Sequence, residues 1–282
     1  MLPTPSTSHV SYETIYEPAE DSYLFLDTLS SSSETTWLHS RFSSSSQSPA
    51  PAPAPFLAEL GPGSGVIIAF LTANARTIFG TDILSLGVDV NSHACLATRT
   101  TAETALPGEN RSGAGGAGSV YLSSLTGDLT TPLRPGQVDI LVFNPPYVPT
   151  DSVSTFPATQ AGRASGGKVT FEESSHLLSL SYAGGTDGME VTNRLLAQIP
   201  DILSQRGVAY VLFCRGNKPE EVKACIRTWA TTEEWKWCAE RWEQVARGLA
   251  GRNWKSSEYG GHEWIEVEWT AETKTGEPCH AI

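Results

Sequence analysis

The sequence predicts a doubly wound α/β sheet, and three observations lead there. Short apolar runs alternate with helical stretches along the chain, the rhythm of strand, crossover helix and parallel strand. The run 56–60 is stopped by Gly61-Pro62-Gly63-Ser64-Gly65, which opens a helix. The run 138–143, Val-Asp-Ile-Leu-Val-Phe, is almost wholly apolar, as a parallel strand covered on both faces must be.

The elements follow in order. A strand at 56–60 leads through the glycine turn into a helix over 66–75. A strand at 84–90 is followed by a helix over 92–105, and strands at 120–125 and 138–143 come next. Residues 192–203 place Leu195, Leu196, Ile199, Ile202 and Leu203 at helical spacing, and 208–214 is a further buried strand. Helices are expected over 219–229 and 233–249. In 263–269, Trp264, Glu266 and Glu268 alternate with Ile265, Val267 and Trp269, a strand pattern. Three segments read as insertions: 30–55, with its serine run and Pro-Ala alternation, the glycine-rich 109–119, and the Ser/Thr/Gly-rich 150–168. One domain with these insertions accounts for the chain.

Composition narrows the function classes. The 282 residues carry a formal charge of −12, which opposes the phosphate neutralisation behind non-specific nucleic-acid affinity. No apolar run reaches membrane-spanning length, and the first ten residues lack the basic and apolar regions of a signal peptide. The cysteines, Cys95, Cys214, Cys225, Cys238 and Cys279, form no C-x-x-C pair. Neither structural zinc nor a disulfide framework is expected, and a reducing cytosol suits the chain. The expected location is cytoplasmic, with the nucleus left open.

In a doubly wound sheet the ligand lies beyond the carboxyl ends of the strands. Glu59 and the glycines Gly61, Gly63 and Gly65 stand at such an end. The spacing G-x-G-x-G differs from the dinucleotide fingerprint G-x-G-x-x-G, whose helix N-terminus receives a pyrophosphate. Glu59 would moreover repel a phosphate, so a cationic, phosphate-free nucleoside suits the turn. Asp89, ending the second strand, is placed to accept both ribose hydroxyls. Asp128, in Gly127-Asp128-Leu129 after the third strand, can accept an adenine amino group. Three strand-end carboxylates around a glycine turn are what S-adenosylmethionine requires.

The fourth strand closes on Asn144-Pro145-Pro146-Tyr147. Two prolines cannot continue a central strand, since neither donates a ladder hydrogen bond. They make a rigid turn whose carbonyls are free to face a cleft. The Asn144 amide oxygen and the Pro145 carbonyl can take the two protons of a planar NH2 group, while the Tyr147 ring packs on its face.

This N-P-P-Y turn, together with E-x-G-x-G-x-G, resembles the Class I amino-methyltransferases, among them DNA adenine-N6 enzymes and HemK-like glutamine methyltransferases. Residues 16–29, Tyr-Glu-Pro-Ala-Glu-Asp-Ser-Tyr-Leu-Phe-Leu-Asp-Thr-Leu, the stretch 141–148, and 183–191, Ala-Gly-Gly-Thr-Asp-Gly-Met-Glu-Val, look like the eukaryotic branch that methylates class 1 translation release factor. The resemblance covers about 16–221. It implies a Rossmann-like Class I methyltransferase fold, a seven-stranded sheet of order 3-2-1-4-5-7-6 with strand 7 antiparallel. It implies methyl transfer from S-adenosylmethionine to the amide nitrogen of the Gln in a Gly-Gly-Gln loop. By that match Tyr16, Pro18, Asp21 and Ser22 close over the cofactor. Glu59, Gly61, Gly63, Gly65, Asp89, Asn91, Asp128, Leu129 and Asn144 bind it, Asn144, Pro145, Pro146 and Tyr147 seat the Gln, and no metal is held. The resemblance further implies a heterodimer with a small zinc-binding activator subunit. In that strand order 120–125 is an edge strand, and an unpaired edge is a ready docking site, so the activator is expected to bind there.

Other readings compete. Adenine N6 is also a planar amino group, but base flipping needs phosphate contacts, and the chain has no basic stretch. Histone lysine methylation is possible within the same family, although acceptors shaped for a planar NH2 fit a tetrahedral amine less well. A cofactor-binding scaffold without activity would be expected to have lost Asn144 or Asp89. The Trp-rich segment 227–254 matches the family poorly. There Cys238, Trp242, Val245 and Leu249 share one helical face, which reads as packing on the sheet, with a partner-binding face as the alternative.

Overall fold

A computed structural model describes residues 2–43, 53–106, 118–153, 169–229 and 264–270. They group into two units, Met1–Pro132 with Ser154–Tyr182, and Leu133–Val153 with Ala183–Ile282.

The first unit holds α1 (Glu20–Leu29), α2 (Ser32–Phe42), β1 (Phe56–Leu60), α3 (Val66–Ala73), α4 (Ala75–Phe79), β2 (Leu84–Asp89), α5 (Ser92–Ala105), β3 (Val120–Thr126) and α6 (Phe171–Ser179). Its strands pair in the order β3-β2-β1, all parallel, with Leu60 opposite Val88 and Asp89 opposite Thr126. Burial explains why these segments hold. β1 buries Leu57, Ala58, Glu59 and Leu60, and α3 is apolar all round, with every residue from Val66 to Thr72 buried, as a helix inside a protein should be. α1 buries Ser22, Phe25, Leu26 and Leu29, one stripe at helical spacing.

The expected loop 30–55 is in part helical. Ser31 accepts a hydrogen bond from the Glu34 backbone and so caps α2, while Leu38 and Phe42 are fully buried. The Phe42 ring meets Phe79 edge-on, with centroids 6.3 Å apart. Serine-rich composition suggested a linker. The apolar pair, two helical steps of burial within a polar stretch, overrides it. The insertion regions 109–119 and 150–168 lie largely outside the described residues, as does the helix expected over 233–249.

The second unit contains β4 (Val138–Phe143), α7 (Glu190–Leu196), α8 (Ile199–Ile202), β5 (Leu203–Cys214), α9 (Pro219–Trp229) and β6 (Trp264–Thr270). β4 is buried along its whole length and runs parallel to β5, and β6 is antiparallel to β5, with Val211 opposite Val267. Any further strand before β6 would fall in 230–263, outside the described residues.

The helix expected over 192–203 is instead two short ones. Pro200 sits in the first turn of α8, where its missing N–H is tolerated, whereas a continuous helix would need that donor. Leu203 belongs to β5, pairing with Val138, and the register shifts between Val138 and Ile140. At this irregularity Asp139 takes hydrogen bonds from Ser204 Oγ at 2.6 Å and from Arg206 Nε and Nη2 at 2.9 and 3.0 Å. No helix among the described residues is long and apolar enough to cross a membrane.

Candidate active site

In the first unit the three parallel strands end side by side, and their ends carry the acids. The turn after β1 starts with Gly61 N donating to Val88 O at 2.8 Å and closes with Gly65 N donating to Pro62 O at 2.7 Å. Gly61, Gly63 and Gly65 all have left-handed φ, at 57°, 56° and 79°, which favours glycine. Their reasons differ, however. A Cβ at Gly65 would lie 2.6 Å from Thr98 Cα, so this glycine lets α3 and α5 approach. At Gly63 the nearest neighbours would be Gly61 O and Ile15 Cγ2, both at 3.9 Å.

Asp89 ties this turn to the next strand end. Its Oδ2 accepts from Gly63 N at 3.1 Å and its Oδ1 from Asn91 N at 2.8 Å. A carboxylate has about four acceptor positions, so ribose hydroxyls remain within its capacity. Burial pushes its carboxyl up to about 6, opposed by those two backbone bonds. Gly127 N donates to Asp89 O at 2.9 Å, which brings the loop of Asp128 and Leu129 alongside. Leu129 is buried with φ 49°, an uncommon conformation for a leucine.

Glu59 is 1% exposed, and its Oε2 is buried without a hydrogen-bond partner. Burial pushes its carboxyl up to about 8, a backbone bond from Ile68 opposes this, and the charge of Asp89 adds to it. A buried, unsatisfied carboxylate oxygen is costly, and a cationic ligand would relieve it. The chemistry of this set, two buried carboxylates and a glycine turn with no Lys or Arg bonded to it among the described residues, fits a cationic nucleoside such as S-adenosylmethionine.

Asn91, expected among the ligands, has its side chain taken up by the fold. Oδ1 caps α5 by accepting from His93 N at 3.0 Å, and Nδ2 donates to Thr14 O at 2.8 Å. The residues before Tyr16 are thereby held against the strand ends. Ser174 Oγ donates to Glu13 O at 2.5 Å, and the His9 ring lies 3.2 Å from Ala97 O. Tyr16 and Pro18 follow on this segment. Asp21 and Ser22 open α1, where Asp21 Oδ1 accepts from Ser22 N at 2.7 Å and Ser22 Oγ at 3.3 Å. Sequence reasoning missed Thr98 and Thr101, whose hydroxyls donate to Gly63 O at 3.2 Å and Ser64 O at 2.5 Å. Threonines inside a helix carry no local sign of such a long-range bond.

The second unit holds the N-P-P-Y turn at the end of buried β4. Asn144 to Tyr147 run without regular structure before Val148, which bridges in parallel to Ala183. Gly184 N donates to Val148 O at 2.8 Å, and Asn217 Nδ2 donates to Tyr147 O at 3.1 Å. The turn therefore rests on residues 183–188, one of the segments that carried the resemblance. Among the described residues no group of three or more His, Cys, Asp or Glu could hold a metal ion.

The glycine turn, the strand-end acids and the N-P-P-Y turn on this Rossmann-like α/β fold define a Class I methyltransferase. No protein-family model matches the chain. Human methyltransferase HEMK2 is 31% identical over 231 residues, 80% of this chain and 85% of the human protein. The eRF1 methyltransferase catalytic subunit mtq2 of Schizosaccharomyces pombe is 33% identical over 221 residues, 77% of this chain and 81% of the yeast one. Among solved structures, the E. cuniculi Mtq2-Trm112 complex aligns with a TM-score of 0.42 at 22% identity, covering 76% of this chain and 84% of that one. The chain belongs to the HEMK2 and mtq2 family of methyltransferases.

Proposed function

We propose that this chain methylates the side-chain amide nitrogen of the Gln in the Gly-Gly-Gln loop of class 1 release factor, using S-adenosylmethionine. The observation that carries this is the N-P-P-Y turn closing a buried strand in a chain 33% identical to a subunit named for eRF1 methylation. When bound, S-adenosylmethionine would supply an electrophilic methyl group on a sulfonium, whose sulfur leaves as a neutral thioether as the amide nitrogen takes the methyl and gives up one proton to solvent.

The chain's own residues do the rest. Asp89 and Asp128 orient the nucleoside, and Glu59 faces its positive charge. Tyr16, Pro18, Asp21 and Ser22 cover it. Asn144 Oδ1 and the Pro145 carbonyl accept the two amide protons, and the Tyr147 ring packs against the amide plane. Nitrogen becomes positive as it bonds to carbon, so these acceptors bind the transition state better than the ground state. The remaining acceleration comes from holding the nitrogen in line.

The partner would be a small zinc-binding activator docked on β3. This strand pairs only with β2 among the described residues, and Val120, Leu122 and Leu125 are exposed on it, with Leu122 at 50%. An unpaired, apolar strand edge supports this reading. The charge of −12 argues against stable nucleic-acid binding and would steer a basic protein substrate inward. Action in the cytoplasm follows from that substrate.

The deciding experiment is a labelled methyl-transfer assay with the activator present. Release factor carrying Gly-Gly-Gln should take up label, and its Gln→Ala version and duplex DNA should not. Label on DNA, or equal label on the Ala version, would overturn the reading.

A further inference from the structure

We propose that Asn217 is the positioning residue of the amide-binding turn, acting on methyl transfer without touching substrate. This rests on the reading of Asn144–Tyr147 as the turn that seats the acceptor amide.

The two prolines of the turn, Pro145 and Pro146, have no N–H to donate. Contacts to the turn's carbonyls therefore carry a large share of its anchoring. Asn217 supplies the donor. It lies just after β5, is 3% exposed, and uses both ends of its amide. Oδ1 accepts from Cys214 N at 2.9 Å, which fixes the side chain to the strand end. Nδ2 donates to Tyr147 O at 3.1 Å and to Asp187 O at 3.0 Å, with Gly188 O at 3.4 Å. One buried amide thus joins the end of β5, the N-P-P-Y turn and the 183–188 loop.

The surroundings leave the turn no slack. A Cβ at Gly188 would overlap Tyr147 O, and one at Gly184 would overlap Pro146 O. Thr150 N donates to Gly185 O and Gly185 N to Thr150 Oγ1, both at 3.0 Å. Two of the three left-handed non-glycine residues among the described residues flank the network, Asp187 with φ 54° and Lys218 with φ 53°. Strain of this kind persists where surrounding structure imposes it, and it collects at functional sites. The carbonyls of Pro146, Tyr147 and Val148 are thereby directed at the loop and at Asn217. Asn144 and the Pro145 carbonyl, the acceptors proposed for the amide, stand on this same turn, at a position set by Asn217.

The test replaces the two donors with an isosteric carboxylate, Asn217→Asp, which faces three carbonyl oxygens. Asn217→Ala and Gly188→Ala perturb the same contact by truncation and by crowding. Each is made in the full chain with its activator. Turnover is measured on whichever of release factor, histone or duplex DNA the wild type labels, alongside the S-adenosylmethionine dissociation constant and the melting temperature. Misplacement by about 1 Å costs on the order of a hundredfold in rate. The expected result is a kcat loss of about that size in Asn217→Asp, with cofactor affinity within roughly threefold and the same split in at least one other variant. A kcat within roughly threefold of wild type in all folded variants, or a loss matched by equal loss of cofactor affinity, would overturn the proposal. Wild-type label on DNA or histone alone would overturn the glutamine reading and leave the Asn217 test intact. No label on any acceptor would overturn both.

Discussion

Asp89 Oδ2 accepts a hydrogen bond from Gly63 N at 3.1 Å, so the acid that ends the second strand also holds the glycine turn that follows the first. In the proposed cofactor site, ligand binding and turn geometry would therefore be coupled through one side chain. Asp89→Asn keeps the shape but removes the charge and leaves a single acceptor oxygen. Bonds to charged groups contribute about 1.5–3 kcal/mol. S-adenosylmethionine affinity should fall about tenfold to a hundredfold by calorimetry, with the fold retained by circular dichroism.

Glu59 gives the cofactor site a pH dependence of defined sign. Its folded carboxyl is raised from the ordinary 4.5 to about 8, so between those values the folded chain holds a proton that the unfolded chain has released. The stability this contributes is fully present below about pH 4.5 and is lost as pH rises through about 8. A cationic ligand needs the ionised form, so affinity should increase from pH 6 to about pH 8.5 and binding should release a proton. Calorimetry in buffers of differing ionisation heat reads that proton. Glu59→Gln should remove the part of the proton release and pH dependence centred near pH 8, leaving that of Asp89 near pH 6.

Asn144→Ala should abolish methyl transfer while leaving cofactor affinity within roughly tenfold, about 1.4 kcal/mol. The comparison of turnover with calorimetric affinity separates acceptor seating from cofactor binding.

Val120 and Leu122 are exposed on β3. Replacing both with Glu should prevent co-purification with the activator and leave the cofactor affinity of any soluble protein unchanged. Retained co-purification would place the partner elsewhere.

Phe42, buried against Phe79, tests whether α2 belongs to the core. Phe42→Ala should cost about 3–5 kcal/mol in denaturant unfolding, where a solvated loop would lose almost nothing.

The proposed site could be drawn from the sequence because its signals are local. The glycine spacing, the strand-end acids Asp89 and Asp128, and Asn144-Pro145-Pro146-Tyr147 each declare themselves within a few residues. So do β4 and α5, whose observed bounds, Val138–Phe143 and Ser92–Ala105, are those expected from the residue pattern. Where composition and burial disagreed, the reading failed. α2 was hidden in a serine-rich stretch, and the helix expected over 192–203 broke at Pro200.

By itself, then, the sequence determined the α/β class and the methyltransferase family, and it supplied the turn proposed to seat an amide, because those rest on residue types at short spacing. Only the tertiary structure decided how each is held. Asn91 became a cap and a tether to Thr14, Gly65 a packing contact with α5, and Asn217 the anchor of Tyr147. A backbone carbonyl accepts from any donor that folding brings within about 3 Å, and no pattern along the chain says which donor, 70 residues away, that will be.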